Sequence, residues 1–202
     1  LGTLQFTSRG FKIDLSKSWK KIDYVSEIKK QTGIDFFNAT VEDIEVKLAK
    51  LGIEFESDLE KERLIDLLWK YCRKNISGPA FLINHPVEVS PLAKRNPKNP
   101  NVVERFVILI AGSELGNGYS ELNDPLDQEK RFLRQAELRK AGDEEAQMHD
   151  KDFVEALKYG MPPTCGFGLS ERLFAFLVDK PVRECQIFPL MKPSSEQVQA
   201  SS

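Results

Sequence analysis

From Phe106 to Ala111 the chain reads FVILIA, an unbroken apolar run between Arg105 and Gly112. A run this short, bounded by a charge and a glycine, suits a buried strand better than a helix. It leads straight into GSELGNGYSELNDP, Gly112 to Pro125, where Glu114 and Glu121 flank Asn117 and Tyr119. Carboxylates next to a core need a partner, so the fold has to supply one. Alternate residues of a strand share a face, which puts Asn117, Tyr119 and Glu121 on one side. Gly116 and Gly118 beside them allow a ligand or another backbone to come close. Glu114 is out of phase with Glu121 and joins that face only through a bulge or turn at Leu115-Gly116. A face of this kind suits a cationic or metal-bound ligand. A carboxylate pairs with an ammonium group, and two carboxylates hold a magnesium ion that also binds phosphates. The same glutamates serve equally as hydrogen-bonded or solvated rim residues, and this stretch alone leaves both readings open.

The rest of the chain reads as alternating helices and short strands. LQFTSRGFKIDL predicts a hairpin turning at Arg9-Gly10. Helices are expected over Ile22 to Thr32 (cap Asp23, stop Gly33), Val41 to Leu51 (cap Thr40, Asp43 at the third position) and Leu59 to Arg73. In the third, Leu64, Leu67, Leu68 and Tyr71 form the apolar face. GPAFLINHP reads as a strand, and SPLAKRNPKNPN as a loop broken by prolines and asparagines. Strands follow at Val103 to Ala111 and Asn117 to Leu122. A long helix is capped by Asp124 with Pro125 at its first position, and a shorter one spans Asp152 to Tyr159. MPPTCGFGLSERLFAFLV is a loop or strand turning into a helix near Leu169, and ECQIFPL is a last short strand. Residues 1–193 form one unit, and the apolar-poor tail 194–202 is expected to be disordered. The class is α+β, with an antiparallel sheet flanked by helices.

Composition narrows the function. The 202 residues carry a net charge of −2, with 41% hydrophobic and 30% charged residues. That supports a core and gives no global attraction to nucleic acid or anionic membranes. No apolar run reaches the roughly 18 residues of a membrane span. Cys72, Cys165 and Cys185 form no CxxC pair, which fits a reducing compartment and argues against structural zinc. His85 and His149 lack ligand spacing and read as structural or surface residues. KSWKK and AKRNPKN read as solvated basic faces, with RNA phosphates as the alternative. In CGFGLSERLFAF, Gly166 and Gly168 precede a helix whose first turn holds Arg172. Phosphate favours such a place, though an ordinary glycine turn has the same pattern.

Taken in order, INHPVEVSPLAKRN, AGSELGNGYSELNDP, AGDEEAQMHDKDFVEALKYGMPPTCGFG and RECQIFPLMKP resemble the C-terminal half of class II lysyl-tRNA synthetases, most strongly from Pro79 to Pro193. The resemblance implies a class II antiparallel sheet with the active site on it. It implies cytoplasmic activation of lysine with ATP and Mg2+ to lysyl-adenylate, then transfer to tRNA(Lys), by an enzyme that is a homodimer at full length. Glu114 matches a glutamate that binds ATP-bound magnesium. Asn117, Tyr119 and Glu121 match the lysine pocket, with Glu121 on the ε-ammonium. Glu114 and Glu121 are thus the candidate metal carboxylates. Arg172, with Gly166 and Gly168 in the same loop, matches the ATP-phosphate arginine of the third motif, and Arg172 and Glu114 are the candidate catalytic pair. Two departures stand out. Val107 occupies a usual metal-binding glutamate position, and the third motif is one residue short. The anticodon-binding barrel and first two motifs have no counterpart here, so the chain reads as a fragment that does not aminoacylate alone. Two other readings are a lysine ligase acting on a protein such as elongation factor P and a catalytically silent paralogue that acts as a binding module.

Overall fold

The computed structural model describes residues 2–57, 59–143 and 146–188. Its centre is a five-stranded sheet in the order β3-β4-β7-β8-β9. These strands are Lys20–Asp23 (β3), Ala80–Ile83 (β4), Arg105–Ile110 (β7), Ser113–Ser120 (β8) and Cys165–Leu169 (β9). All neighbours are antiparallel except β3 and β4. The expected α+β class is therefore found, with one parallel pair at the edge. A parallel pair needs a long crossover. Here it is made of α1 (Tyr24–Thr32), α2 (Val41–Lys50) and α3 (Lys61–Arg73).

Period-2 alternation divides the sheet's contacts. Leu82, Val107 and Leu109 face the three helices and join Ile28, Ile44, Leu48, Leu64, Leu68 and Trp69 in the largest core. Ile110 and Leu115 join Ile13 of the hairpin β1 (Gln5–Ser8) and β2 (Phe11–Asp14), and Phe176 of α6 (Arg172–Leu177), in a second core. The hairpin turns at Arg9 (φ 50) and Gly10 (φ 80), the pair of left-handed residues a tight two-residue turn demands. α4 (Pro125–Lys140) and α5 (Lys151–Lys158) pack together; Asp124 caps the first as its sequence predicts, and Asp150 caps the second, which starts one residue before the expected Asp152.

Four expectations are corrected. The first helix begins at Tyr24, because Lys20–Asp23 pairs with β4 as a strand. Asp23 then works at a junction. Its Oδ1 accepts from the Ser26 backbone N–H at 2.8 Å, and its Oδ2 accepts from Asn84 Nδ2 at 2.8 Å, beyond the end of β4. The supposed loop SPLAKRNPKNPN contains a small hairpin, β5 (Arg95–Asn96) and β6 (Asn99–Val103). Asn96 Oδ1 accepts from the Lys98 N–H at 2.9 Å and makes the turn that the prolines seemed to forbid. The last helix starts at Arg172 rather than Leu169, after a real strand. ECQIFPL is not a strand over its described part: Val182–Glu184 is a 3-10 turn and 185–188 is irregular. The tail 194–202 lies outside the described residues.

One carboxylate fastens the small hairpin to α4. Asp127 Oδ2 accepts from Arg131 Nη2 at 2.7 Å and from Arg95 Nε at 2.9 Å. Burial pushes Asp127 up, yet the hydrogen bonds from Arg131 and Arg95, with their charges, hold it at about 2.

Two predictions follow from these junctions. Asp23→Ala should lower stability by about 2 kcal/mol, because a helix cap is lost and Asn84 is left unpaired. Thr40→Ala, which removes only an exposed cap, should cost about 1 kcal/mol; urea midpoints that rank the two alike would count against the junction. An aspartate ordinarily titrates near ~3.9, so the Asp127 contribution is complete above about pH 4 and is lost as pH falls toward 2. Asp127→Asn should flatten that acid limb of the stability curve, and an unchanged limb would show that the clamp contributes nothing there.

Candidate functional site

β8 is where the functional side chains meet, and a bulge arranges them. From Arg105↔Tyr119 to Ile108↔Gly116 the β7–β8 register is regular, then it slips to Leu109↔Glu114. Leu115 is the extra residue. Directly opposed residues share a face, so Glu114, Asn117 and Tyr119 stand beside Leu109, Val107 and Arg105 on the helix side. The sequence placed the bulge at Leu115-Gly116, and there it is. Leu115 turns the other way, 2% exposed in the second core.

The glycines divide between the two faces in a way the sequence did not reveal. A Cβ on Gly118 would stand 2.8 Å from the Phe106 ring, and one on Gly116 would stand 3.0 Å from Ile108 Cδ1. Those two glycines make room for the chain's own side chains on the far face, where Phe106 stacks on Phe167 at 5.6 Å. The open floor on the near face comes from Gly166 and Gly168 in β9, opposite Tyr119 and Asn117. Nothing lies within 4 Å of a Cβ built on Gly168. Gly166 and Gly168 therefore belong to a strand, not to a turn at a helix start. Every residue of β9 is exposed, and no residue of β8 or β9 enters the helix-side core, so the near face forms a shelf over these two strands.

Glu121 lies just beyond β8, where its N–H donates to Thr164 O at 2.9 Å. Its Oε1 leans over β9, 3.3 Å from the position of a Cβ on Gly166. Among the described residues no basic group pairs with Glu121, so its charge stays available. The Tyr119 hydroxyl is pushed up first by burial and then by the Glu121 charge, which places the two in one electrostatic neighbourhood.

At the other end, Glu114 Oε1 accepts from Trp69 Nε1 at 2.7 Å. Trp69 comes from α3, is 3% exposed, and lies against Tyr24 at 5.1 Å. Tyr24 in turn lies 5.1 Å from His85. The Tyr24 phenol is driven far up by burial, then by Asp66 and Glu114. His85 falls well below its ordinary value through burial and the Arg105 charge, so it is a neutral, buried residue. Along β8 the two glutamates are about 20 Å apart at ~3.3 Å per residue, too far for one ion to bridge. Position 107 offers no second carboxylate near Glu114, since Val107 is 2% exposed inside the helix-side core. Among the described residues no group of three His, Cys, Asp or Glu converges on a metal position. The donor set therefore suits an ion carried in on phosphates and touched by one free carboxylate oxygen, Glu114 Oε2; it does not build a cage.

Arg172 opens α6 and is exposed. The Ser170 N–H donates to Leu115 O at 2.9 Å, which extends the β8–β9 ladder and starts this helix beside the bulge. Sequence reasoning missed Arg105, Trp69 and Tyr24. Arg105 had a usable signal, being in phase with Val107 and Leu109 in the apolar strand. In α3 the buried set is Leu64, Ile65, Leu68, Trp69 and Cys72, one position round from the face expected. That rotation is what delivers the Trp69 indole to Glu114. The coupling between them is measurable: a double-mutant cycle of Trp69→Phe and Glu114→Gln should show about 1–2 kcal/mol. Additive losses would mean that the indole does not hold the carboxylate.

Comparison with known proteins bears on what this shelf binds. A family profile described as tRNA synthetases class II (D, K and N) matches residues 3–192. A protein named lysine–tRNA ligase from Thermosipho africanus is 46% identical over 196 residues, which is 96% of this chain and 39% of that protein. Its namesake from Thermotoga maritima is 44% identical over 95% of this chain and 38% of its own length. That of Moorella thermoacetica is 42% identical over 97% and 41% respectively. The chain thus spans about two fifths of the length of the curated relatives it matches.

Proposed function

The chain belongs to the class II tRNA synthetases of the D, K and N group, and on that premise we propose that it carries the lysine-binding surface and part of the ATP-binding surface of a lysine–tRNA ligase. The observation that supports this most is the unpaired Glu121 carboxylate over the glycine floor of β9, at one end of a face that also holds Asn117 and Tyr119. A side-chain ammonium entering there meets a negative charge without meeting a Cβ. A site built on such a contact rejects apolar amino acids strongly, because they would leave the carboxylate unpaired.

In the first step the lysine carboxylate attacks the α-phosphorus of ATP, the bond to the bridging oxygen breaks, and pyrophosphate leaves. Lysine brings its own nucleophile, so no side chain has to remove a proton. The protein's part is positioning and neutralisation of charge. Glu121 and Tyr119 hold the ammonium end. Arg172, beside the bulge, offers its guanidinium to a phosphate. Glu114, steadied through Oε1 by Trp69, offers Oε2 to a magnesium ion arriving with the nucleotide; that ion would offset phosphate charge when bound. Transfer to tRNA follows when a terminal ribose hydroxyl attacks the adenylate's carbonyl and AMP departs.

Two features favour a second reading. Val107 sits in the core at the position where the resemblance implies a metal-binding glutamate, and against the same pattern the approach to Arg172 is a residue short. Both suit a catalytically silent paralogue that acts as a binding module. Lysine-dependent pyrophosphate exchange separates the two, since only the ligase performs it.

Breaking a desolvated ion pair costs roughly 3–5 kcal/mol, so Glu121→Gln in the full-length protein should weaken lysine by two to three orders of magnitude. ATP should be held as before. Calorimetry with each ligand distinguishes this from a general disturbance, and equal loss of both would falsify the role given to Glu121.

A further inference from the structure

Arg105 is half-buried in the site and has no role in the reading above. Its Nε donates to Asn117 Oδ1 at 2.8 Å, and its Nη1 donates to Ser90 Oγ at 3.0 Å and Val89 O at 3.2 Å. Ser90 is itself 4% exposed, and its carbonyl accepts from Arg131 Nη1 at 3.2 Å, so the guanidinium is anchored on a fixed loop. Burial lowers Arg105 from its ordinary value, while the Glu114 charge acts the other way. Among the described residues no carboxylate lies within ion-pair distance of it.

We propose that Arg105 is a positioning residue that fixes the Asn117 amide so that Asn117 shows only N–H donors to the ligand, which must then place an anionic oxygen there. A guanidinium has five donors and no acceptor, so the amide atom facing Arg105 is the oxygen and the amide cannot flip. Asn117 Nδ2 makes no hydrogen bond to a described residue, and Gly168 opposite it is open. Its two N–H groups are therefore unspent at the middle of the shelf. The guanidinium behind them, which has no ion-pair partner among the described residues, adds positive potential, and Glu121 adds negative potential about 13 Å along the strand. The shelf is thus polarised lengthwise. This inference rests on the lysine and ATP reading, and the anionic oxygen is either the amino acid's carboxylate or a phosphate.

Asn117→Asp is the decisive variant in the full-length protein. It keeps an oxygen toward Arg105, so urea stability should not fall, but it turns a donor into an acceptor. If the oxygen is the amino acid's carboxylate, lysine affinity drops roughly ten- to hundredfold while 1,5-diaminopentane, which lacks that carboxylate, binds as before. If it is a phosphate, ATP weakens by that factor and the lysine-to-diaminopentane ratio holds. Arg105→Met should move the same ratio or the same ATP affinity in the same direction, and Arg105→Lys should restore most of it. A merely structural arginine would shift stability and leave those ratios alone. Lysine and ATP affinities unmoved by Asn117→Asp would overturn the proposal. Absence of any lysine binding by the unaltered protein would instead remove the functional reading on which it stands.

Discussion

One extra residue in β8 decides what this molecule can bind. Without the bulge at Leu115, strict alternation would send Glu114 to the hairpin side of the sheet, toward Ile13 and Phe176. An ionised carboxylate has no partner in that apolar cluster and would be costly to bury. With the bulge, Leu115 takes the apolar position and Glu114 joins Asn117 and Tyr119. The bulge is stable because both results lower free energy: a leucine is buried in one core, and a carboxylate gains an indole donor at the margin of the other.

The sheet thus has two faces with different duties along the same strands. On the far face, aromatic and aliphatic side chains fill the space left by Gly116 and Gly118. On the near face, β9 contributes only glycines between Cys165 and Leu169 at the positions that matter. Four glycines in two neighbouring strands look alike in sequence, yet one pair admits protein and the other leaves space for ligand. Strand parity within β8 cannot separate these roles; the β8–β9 register does.

Much of the fold could be read from local chemistry. The capping box of Thr40 and Asp43, the Asp124-Pro125 helix start and the Arg9-Gly10 turn are decided by a few adjacent residues, and they appear where those residues place them. The face carrying Asn117, Tyr119 and Glu121 followed from period 2 alone. What was misread depends on distant partners. Lys20–Asp23 is a strand because β4 lies beside it, and Asn96 forms a hairpin turn because Val103 returns to pair with Arg95. Arg105 and Trp69 were overlooked for the same reason. Only the tertiary fold joins them to Asn117 and Glu114.

Val107 follows from the same arrangement and changes the electrostatics of the site. It lies between Arg105 and Leu109 on the helix-side face, where α1 to α3 press on the sheet. A carboxylate at that position would have to be desolvated beneath those helices, close to Glu114, with only the Arg105 guanidinium to offset it. With valine there, the charged side chains of the shelf are Glu114 and Glu121 with Arg105 between them. Two carboxylates so far apart do not hold a free divalent cation together, whereas an ion already bound to a triphosphate brings its own ligands and needs little more than Glu114 Oε2. Arg105 has no ion-pair partner among the described residues, and in the arrangement proposed above its charge acts through Asn117 on the space over Gly168. A valine in the core of the sheet thus adds no negative charge beside Arg105, and the nearest carboxylate along β8 is Glu114.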